Sequence, residues 1–340
     1  MQGKVSVITP TYNHAKFIAE CIESVQRQSY SNWEMIIVND GSTDDTSLIA
    51  RKHSLRDQRI IVIDQENLGV WNLGKNYNKG LQAATGEYVA ILEGDDLWPS
   101  HTLSTMVERL NNLGSEFGMA YGKVQTFGRS ETEVIGTYCL DERYEKPHFF
   151  SHFIFTPAAR IPPQATLIRM SSLKNVGGFF QPESLPLVDR PTFLNISMKY
   201  KIAYIDEILA YWRQHGDNVT KNLSLQIAAG AVPWIENHFR GLPAEIKKDM
   251  KMNMAEAIKI HRRSIFLMSA SYLQTLEHSD TLAARWQSLK AVVLPRISMP
   301  QRAVLSVLHA ILLVGVDMRP VLRFIRNAAS RGRDYISSSK

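Results

Sequence analysis

The sequence predicts an α/β protein: a mostly parallel sheet flanked by helices, followed by a helical C-terminal region. Three observations carry this prediction. Four short runs rich in Val and Ile, at residues 5–8, 35–38, 60–63 and 88–92, have the length of strands. Helical segments separate them, giving β-α-β-α-β-α-β, an order that favours parallel strands joined by right-handed crossovers. Each run also ends in a polar loop rich in Asp, Asn or Gly.

The first run is halted by Pro10. Residues 17–28 follow, with Ile18, Cys21, Ile22 and Val25 at i, i+3, i+4 and i+7, one apolar face of a helix that covers the sheet. Residues 44–53 and 75–84 supply the second and third helices, and residues 100–112 form a helix after the fourth run. Short runs rich in Val and Ile and separated by helices suggest strands buried on both faces.

A chain of 340 residues with 44% apolar content fills one large α/β domain or two smaller ones. Its net charge of +6 is unevenly spread. Residues 285–340 hold ten Lys or Arg and two acids, Asp317 and Asp334, a balance of +8, so the preceding residues balance at −2. The N-terminal part has no basic stripe interleaved with aromatics, and nucleic acid is not expected as a partner. Cys21 and Cys139 are too few for a disulfide framework and read as reduced packing residues. The first apolar run is too short for a secretory signal, which points to the cytoplasm. Residues 303–316 carry no formal charge but fall short of the roughly 20 apolar residues of a spanning helix. They have two readings. One is a core helix. The other is a helix in the membrane interface, part of a peripheral contact through residues 296–333 in which Arg296, Arg302, Arg319, Arg323, Arg326, Arg331 and Arg333 face anionic lipid.

In a parallel sheet the four loops share one edge, and ligands of open α/β sheets bind outside the carboxyl ends of the strands. The loops are Thr9-Pro10-Thr11-Tyr12-Asn13, Asn39-Asp40-Gly41-Ser42, Asp64-Gln65-Glu66-Asn67-Leu68-Gly69 and Glu93-Gly94-Asp95-Asp96. The last sets three carboxylates beside an apolar strand, where like charges repel and ionisation is costly without compensation. A bound cation would compensate them. The alternative is a solvated turn in which Asp95 or Asp96 caps the next helix. No Gly-x-Gly-x-x-Gly or Walker loop is present to cradle phosphates. That load falls to a metal, and hard oxygen ligands such as Asp95 suit Mn2+ or Mg2+, which favours a nucleotide diphosphate as ligand.

Three stretches resemble family 2 glycosyltransferases of the Rossmann-like GT-A fold: Val5-Ser6-Val7-Ile8-Thr9-Pro10-Thr11-Tyr12-Asn13, Val38-Asn39-Asp40-Gly41-Ser42-Thr43-Asp44-Asp45-Thr46, and Gly86-Glu87-Tyr88 running into Glu93-Gly94-Asp95-Asp96. The resemblance implies a nucleotide-sugar donor, usually UDP- or dTDP-linked, a divalent cation and inversion at the anomeric centre. It implies a nucleotide-sugar half at residues 1–125, an acceptor and catalytic-base half at 126–220, and a helical region with a basic tail at 221–340. Thr9, Pro10, Tyr12, Asn13 and Asp40 then fall among the donor contacts. Thr9 and Asp40 meet base and ribose, although Asp40 has a second reading as a brace for the turn at Gly41. Asn67, Gly69, Asn78 and Gly80 match the family's middle segment. Tyr77 stands there in place of an Arg, the Gly69-to-Asn78 separation is longer than common, and Lys75 is either the substitute charge or plain surface. Glu93-Gly94-Asp95 resembles the family's Asp-x-Asp. Asp95 becomes the metal ligand, Glu93 is set toward ribose or metal-bound water, and Asp96 is a structural cap.

Downstream, Gly177-Gly178-Phe179 and Val188-Asp189 resemble the family's Gly-Gly-Phe and Glu-Asp, which makes Asp189 the general base. Pro191 permits another reading, with Asp189 favouring a helix dipole. Val188 replaces the customary Glu, and Glu183 is the reserve base. Tyr211-Trp212-Arg213-Gln214-His215, with Asn218 and Thr220, resembles an Arg-x-His segment that closes over donor phosphates, so Arg213 and His215 would neutralise the leaving group. The Gln-x-x-Arg-Trp signature of processive synthases is absent. The expected function is transfer of one sugar to a glycan or lipid-linked acceptor in surface polysaccharide synthesis. A nucleotidyltransferase would need a basic glycine-rich loop, and a non-catalytic sugar-nucleotide binder would account for Glu93, Tyr77 and Val188.

Overall fold

The computed structural model describes residues 3–128, 132–136, 161–216, 218, 223–249 and 297–313, with scattered positions between 255 and 294. Two compact units are present: Met1–Val219 with Pro243–Lys251, and Thr220–Leu242 with Met252–Lys340.

The first unit opens with β1 (Val5–Thr11), α1 (Ile18–Gln26), β2 (Trp33–Asn39), α2 (Thr46–Ser54), β3 (Ile60–Asp64), α3 (Leu73–Ala83), β4 (Tyr88–Ile91) and α4 (Thr102–Asn111). It continues with β5 (Phe117–Phe127), β6 (Val134–Ile135), β7 (Thr166–Arg169), α5 (Met170–Asn175), α6 (Asp189–Ser197) and β8 (Lys201–Arg213). The strand order is β3-β2-β1-β4-β7-β5-β6, with β8 beside β5. β3, β2, β1 and β4 run parallel, as the crossover pattern requires. β7 is antiparallel to both β4 and β5, and β8 runs parallel to β5. The sheet is therefore mixed but mostly parallel. It passes through the expected 125/126 division without a break, because β5 straddles it.

One face of the sheet carries Val5, Val7, Met35, Ile37 and Ala90, packed with Ile18, Cys21, Ile22 and Val25 of α1 and Leu103, Met106, Val107 and Leu110 of α4. The expected helical stripe is thus the buried one. α3 covers the opposite face so closely that a Cβ on Gly80 would lie 2.7 Å from Ile8 Cγ2. β1, β2 and β4 are buried throughout, whereas β3 is an edge strand with Ile61 exposed, so the expectation of burial on both faces fails there.

Pro10 does not end the first strand. β1 runs on to Thr11 because its pairing with β2 continues through Thr11↔Asn39, whereas β4 pairs only as far as Ile8↔Ile91. Pro10 has no N–H to donate to the ladder, but its carbonyl accepts from Gly94 N–H at 3.2 Å. Cys21 is buried with a free thiol, and Cys139 lies outside the described residues.

The second unit contains α7 (Ser224–Gly241), while α8 (Ala244–Asp249) belongs to the first. α9 (Met299–Leu313), in the second unit, buries Leu305 and Leu308 and exposes Met299, Val304 and Val307. Arg302 binds the Ile297 carbonyl through Nε, and the other arginines expected along this tail lie outside the described residues. Among the described residues no helix is long and apolar enough to cross a membrane.

Candidate active site

The parallel strands bring their four loops to one edge. Thr9 is fully buried, and its hydroxyl meets no hydrogen-bond partner among the described residues; Pro10 is buried beside it. Tyr12 is exposed. Asn13 adopts φ 54°, which Asn tolerates better than most residues. Its Oδ1 accepts from Thr43 N–H at 2.8 Å and its own N–H donates to Ser42 Oγ at 2.9 Å, knitting the first loop to the second.

Asp40 binds the third loop. Oδ1 accepts from Gln65 Nε2 (2.8 Å) and Leu68 N–H (3.0 Å), and Oδ2 from Gly69 N–H (3.2 Å). Asn67 Nδ2 adds a bond to the Asp40 carbonyl at 2.7 Å. The carboxylate thus braces more of the chain than the turn at Gly41. Asn78 is likewise engaged within the protein: Oδ1 accepts from Phe179 N–H (2.9 Å), and Nδ2 donates to the carbonyls of Phe179 (2.7 Å) and Gly74 (2.9 Å). Lys75 lies on the exposed face of α3.

The acidic loop packs under β1. A Cβ on Gly94 would fall 2.5 Å from Thr11 Oγ1, so the close approach demands glycine between Glu93 and Asp95. Asp96 is fully buried; Oδ2 accepts from Gln164 Nε2 at 3.0 Å and Oδ1 from Arg213 N–H at 2.9 Å. It is structural, as expected, but it caps no helix: His101 holds the N-cap of α4. Burial, then repulsion from Asp95 and Glu93, raise its pKa well above the carboxylate range.

Asp95 sits between His215 and Arg213. Its Oδ2 lies 2.9 Å from His215 Nε2, and its carbonyl accepts from Arg213 Nε at 2.9 Å. Burial opposes its ionisation, but the His215 hydrogen bond and the charges of His14 and His215 prevail and hold its pKa down. Arg213 also pairs with Glu20 at 2.6 Å and lies over the rings of Phe17 (4.9 Å) and Phe127 (4.6 Å). Asn218 braces the turn beyond β8, accepting from His215 N–H at 2.7 Å; Thr220 lies outside the described residues.

Glu93 has a different partner. Tyr77, buried inside α3, donates its phenol to Glu93 Oε1 at 2.8 Å and packs against Phe179 with ring centroids 5.1 Å apart. Burial, followed by repulsion from Asp95, pushes the Glu93 carboxyl up to about 7; the phenol lowers it and the charge of Asp189 raises it further. Asp189 thus lies within electrostatic reach of Glu93. Asp189 is the half-buried first residue of α6, with its pKa raised by burial against a hydrogen bond from Arg190 N–H. Val188 is buried beside it and Glu183 is exposed. Gly178, at φ 87°, turns the preceding segment so that Phe179 reaches Asn78; a Cβ there would lie 2.7 Å from Asn78 Oδ1.

Tyr77 and Gln164 are the partners that sequence reasoning missed. A signal existed for Tyr77: a phenol replaces Arg and a longer acid replaces Asp in the same chain, and the two side chains meet.

Glu93, Asp95 and Asp96 each offer an oxygen, all within 4.8 Å of one another. With Asp96 already holding two donors, Asp95 and Glu93 are the members suited to a divalent cation. The set is all hard oxygen and its Glu93 end lacks positive charge, so the residues fit Mn2+ or Mg2+.

The sequence model of glycosyl transferase family 2 matches residues 6–176, half of the chain. The chain belongs to that family. Among its relatives, the putative teichuronic acid biosynthesis glycosyltransferase TuaG of Bacillus subtilis (strain 168) is 32% identical over 220 residues, 64% of this chain and 82% of its own. Glycosyltransferase GlyG of Streptococcus pneumoniae serotype 4 is 32% identical over 145 residues, 42% of this chain; the match spans about half, 48%, of that relative. Among solved structures, S. aureus TarS 1-349 in complex with UDP-GlcNAc superposes with TM-score 0.57 at 19% identity, over 88% of this chain and 83% of that one. The mannosyltransferase PcManGT from Pyrobaculum calidifontis, in complex with GDP-Man and Mn2+, gives TM-score 0.53 at 21% identity, over 92% and 86%. At these identities the likeness is one of fold, and it agrees with the GT-A architecture that the sequence motifs imply.

Proposed function

We propose that this family 2 member is a metal-dependent inverting glycosyltransferase. It moves one sugar from a nucleotide-diphosphate sugar, UDP-linked, to a glycan or lipid-linked acceptor in surface polysaccharide synthesis. The observation that carries the reading is the juxtaposition, at the carboxyl edge of the sheet, of Asp95 and Glu93 with Asp189. The UDP-GlcNAc and GDP-Man complexes of the two fold neighbours support a nucleotide-sugar donor, and TuaG supports a polysaccharide product.

Asp95, with Glu93, would hold the cation, which supplies charge neutralisation for the departing diphosphate. Tyr12, Asn13 and the Asp40–Gly69 loop line the donor side, with Thr9 and Pro10 beneath them. Arg213 and His215 stand on the other side of Asp95, where His215 meets the carboxylate that the cation would share. Asp189 removes the acceptor hydroxyl's proton as that oxygen attacks the anomeric carbon. Its burial raises the pKa toward the working range of a general base. The three departures behind the non-catalytic reading have local explanations: Tyr77 and Glu93 satisfy each other, and Val188 fills the core.

Release of nucleotide diphosphate from a panel of sugar nucleotides, with and without Mn2+, tests the reading. Mn2+-dependent release from a UDP-sugar is expected, and Asp95→Ala abolishes it. Binding without release from any donor would establish the non-catalytic alternative. The peripheral membrane contact through residues 296–333 is part of the same proposal, supported by the exposed Met299, Val304 and Val307 of α9. In flotation with anionic vesicles the full chain should rise and a chain ending near residue 290 should not; equal behaviour of the two removes the contact.

A further inference from the structure

Among the described residues, the exposed aromatic side chains are Tyr12, Trp71 and Phe180, at 45%, 47% and 43% exposure. None lies on the back of a helix or on the outer sheet edge. Tyr12 follows β1 on the donor side. Trp71 and Phe180 have no part in the donor reading, and hydrogen bonds tie the segments that carry them to each other. Gln181, next to Phe180, donates through Nε2 to the Val70 carbonyl at 2.9 Å and accepts Gly74 N–H on Oε1 at 2.7 Å, which clamps the backbone on either side of Trp71. Phe180 N–H donates to Thr192 Oγ1 at 2.9 Å, and Thr192 stands on α6, three residues after Asp189. Phe179 packs on Tyr77, which holds Glu93. The long Gly69-to-Asn78 separation is spent on the helical turn Val70–Asn72, whose middle residue is Trp71.

A Trp and a Phe left in water forgo the burial that such side chains normally gain, and rigid aromatic rings on a braced frame are suited to a ligand with an apolar face. A pyranose ring has one, formed by its axial C–H groups, alongside hydroxyls that favour contact with water. We propose that Trp71 and Phe180 form the acceptor platform, on which the sugar rings of a preformed saccharide stack so that a terminal hydroxyl reaches Asp189. This rests on the transferase reading and specifies its acceptor as a saccharide chain, free or carried on a lipid, recognised through its rings.

The test uses the full chain and linear chito-, malto- and cello-oligosaccharides as probes, followed by tryptophan fluorescence and saturation-transfer NMR. UDP affinity with Mn2+ is measured separately by calorimetry. The platform predicts that at least one series binds. Trp71→Ala and Phe180→Ala should each weaken that binding about tenfold or more, Trp71→Phe should retain part of it, and UDP affinity should stay unchanged. Both side chains are exposed, so truncation leaves the fold intact, which circular dichroism checks. Undiminished saccharide binding by Trp71→Ala overturns the proposal, as does a wild-type chain that binds none of the three series. Loss of UDP affinity in both variants also overturns it, because it would place the rings in the donor site. Saccharide binding that depends on Trp71 in a wild-type chain without UDP affinity supports the platform and counts against the donor reading alone.

Discussion

The acidic cluster has two flanks, and they are balanced by different means. On the β8 flank, Asp95 faces the His215 ring, and Asp96 receives the Arg213 backbone N–H, although burial and the neighbouring acids still raise the Asp96 pKa well above the carboxylate range. On the α3 flank, Glu93 receives one neutral phenol while Asp95 and Asp189 repel it. Asp95 is accordingly held below the ordinary range, and Glu93 is lifted to about 7. Three acids within four residues therefore do three jobs. Asp96 is spent on the fold, Asp95 stays charged, and Glu93 marks where positive charge is missing. That asymmetry is why the cation is assigned to Asp95 and Glu93.

The largest expected effect breaks the comparison at Asp189, beyond the α3 flank. Asp189→Asn should leave donor affinity in calorimetry unchanged and lower transfer about a thousandfold, within the span of a lost general base. Transfer at the wild-type rate would return Asp189 to the helix-dipole role.

Next comes the β8 flank. Asp96→Ala strands Gln164 Nε2 and Arg213 N–H without acceptors in a buried setting, a cost of about 3–4 kcal/mol for the pair. Asp96→Asn restores one acceptor and should recover about half. Urea denaturation measures both, and an unchanged midpoint for Asp96→Ala would make this residue a ligand-site group instead of a structural one.

The smallest effect sharpens the contrast. A folded-state pKa of about 7 for Glu93, above the ordinary 4.5, means that the metal-free folded protein binds the extra proton between those values. Stability from this group is therefore complete below 4.5 and lost as pH rises through about 7. At 1.36 kcal/mol per unit, discounted for partial exposure, the loss is about 2 kcal/mol. Glu93→Gln should remove that slope from melting curves recorded between pH 4.5 and 7.5 in chelator. An identical slope in both proteins would mean that the Glu93 flank is already neutralised.

Much of the first flank's framework was legible in the sequence because it is local. β1, β2 and β4 announce themselves by uninterrupted apolar residues, and each polar loop follows its strand directly. Glu93, Asp95 and Asp96 could be singled out from spacing alone. Their different fates could not, because the deciding partners come from afar: Tyr77 lies 16 residues from Glu93, Gln164 68 from Asp96, and His215 120 from Asp95. Tyr77 was hidden inside a helix, where a buried aromatic reads as core. Asn78 lay in a recognisable motif, but its bonds to Phe179 formed only when α3 met a turn 101 residues away.

The chain's own order thus determined the parallel strands, the edge on which their loops gather and the family, since these follow from periodicity and from residues adjacent in sequence. Which acid is buried, which stays charged and which lacks a counter-charge was decided by the tertiary structure. Ionisation answers to the dielectric and to partners within hydrogen-bond reach, and folding supplies those partners from distant segments.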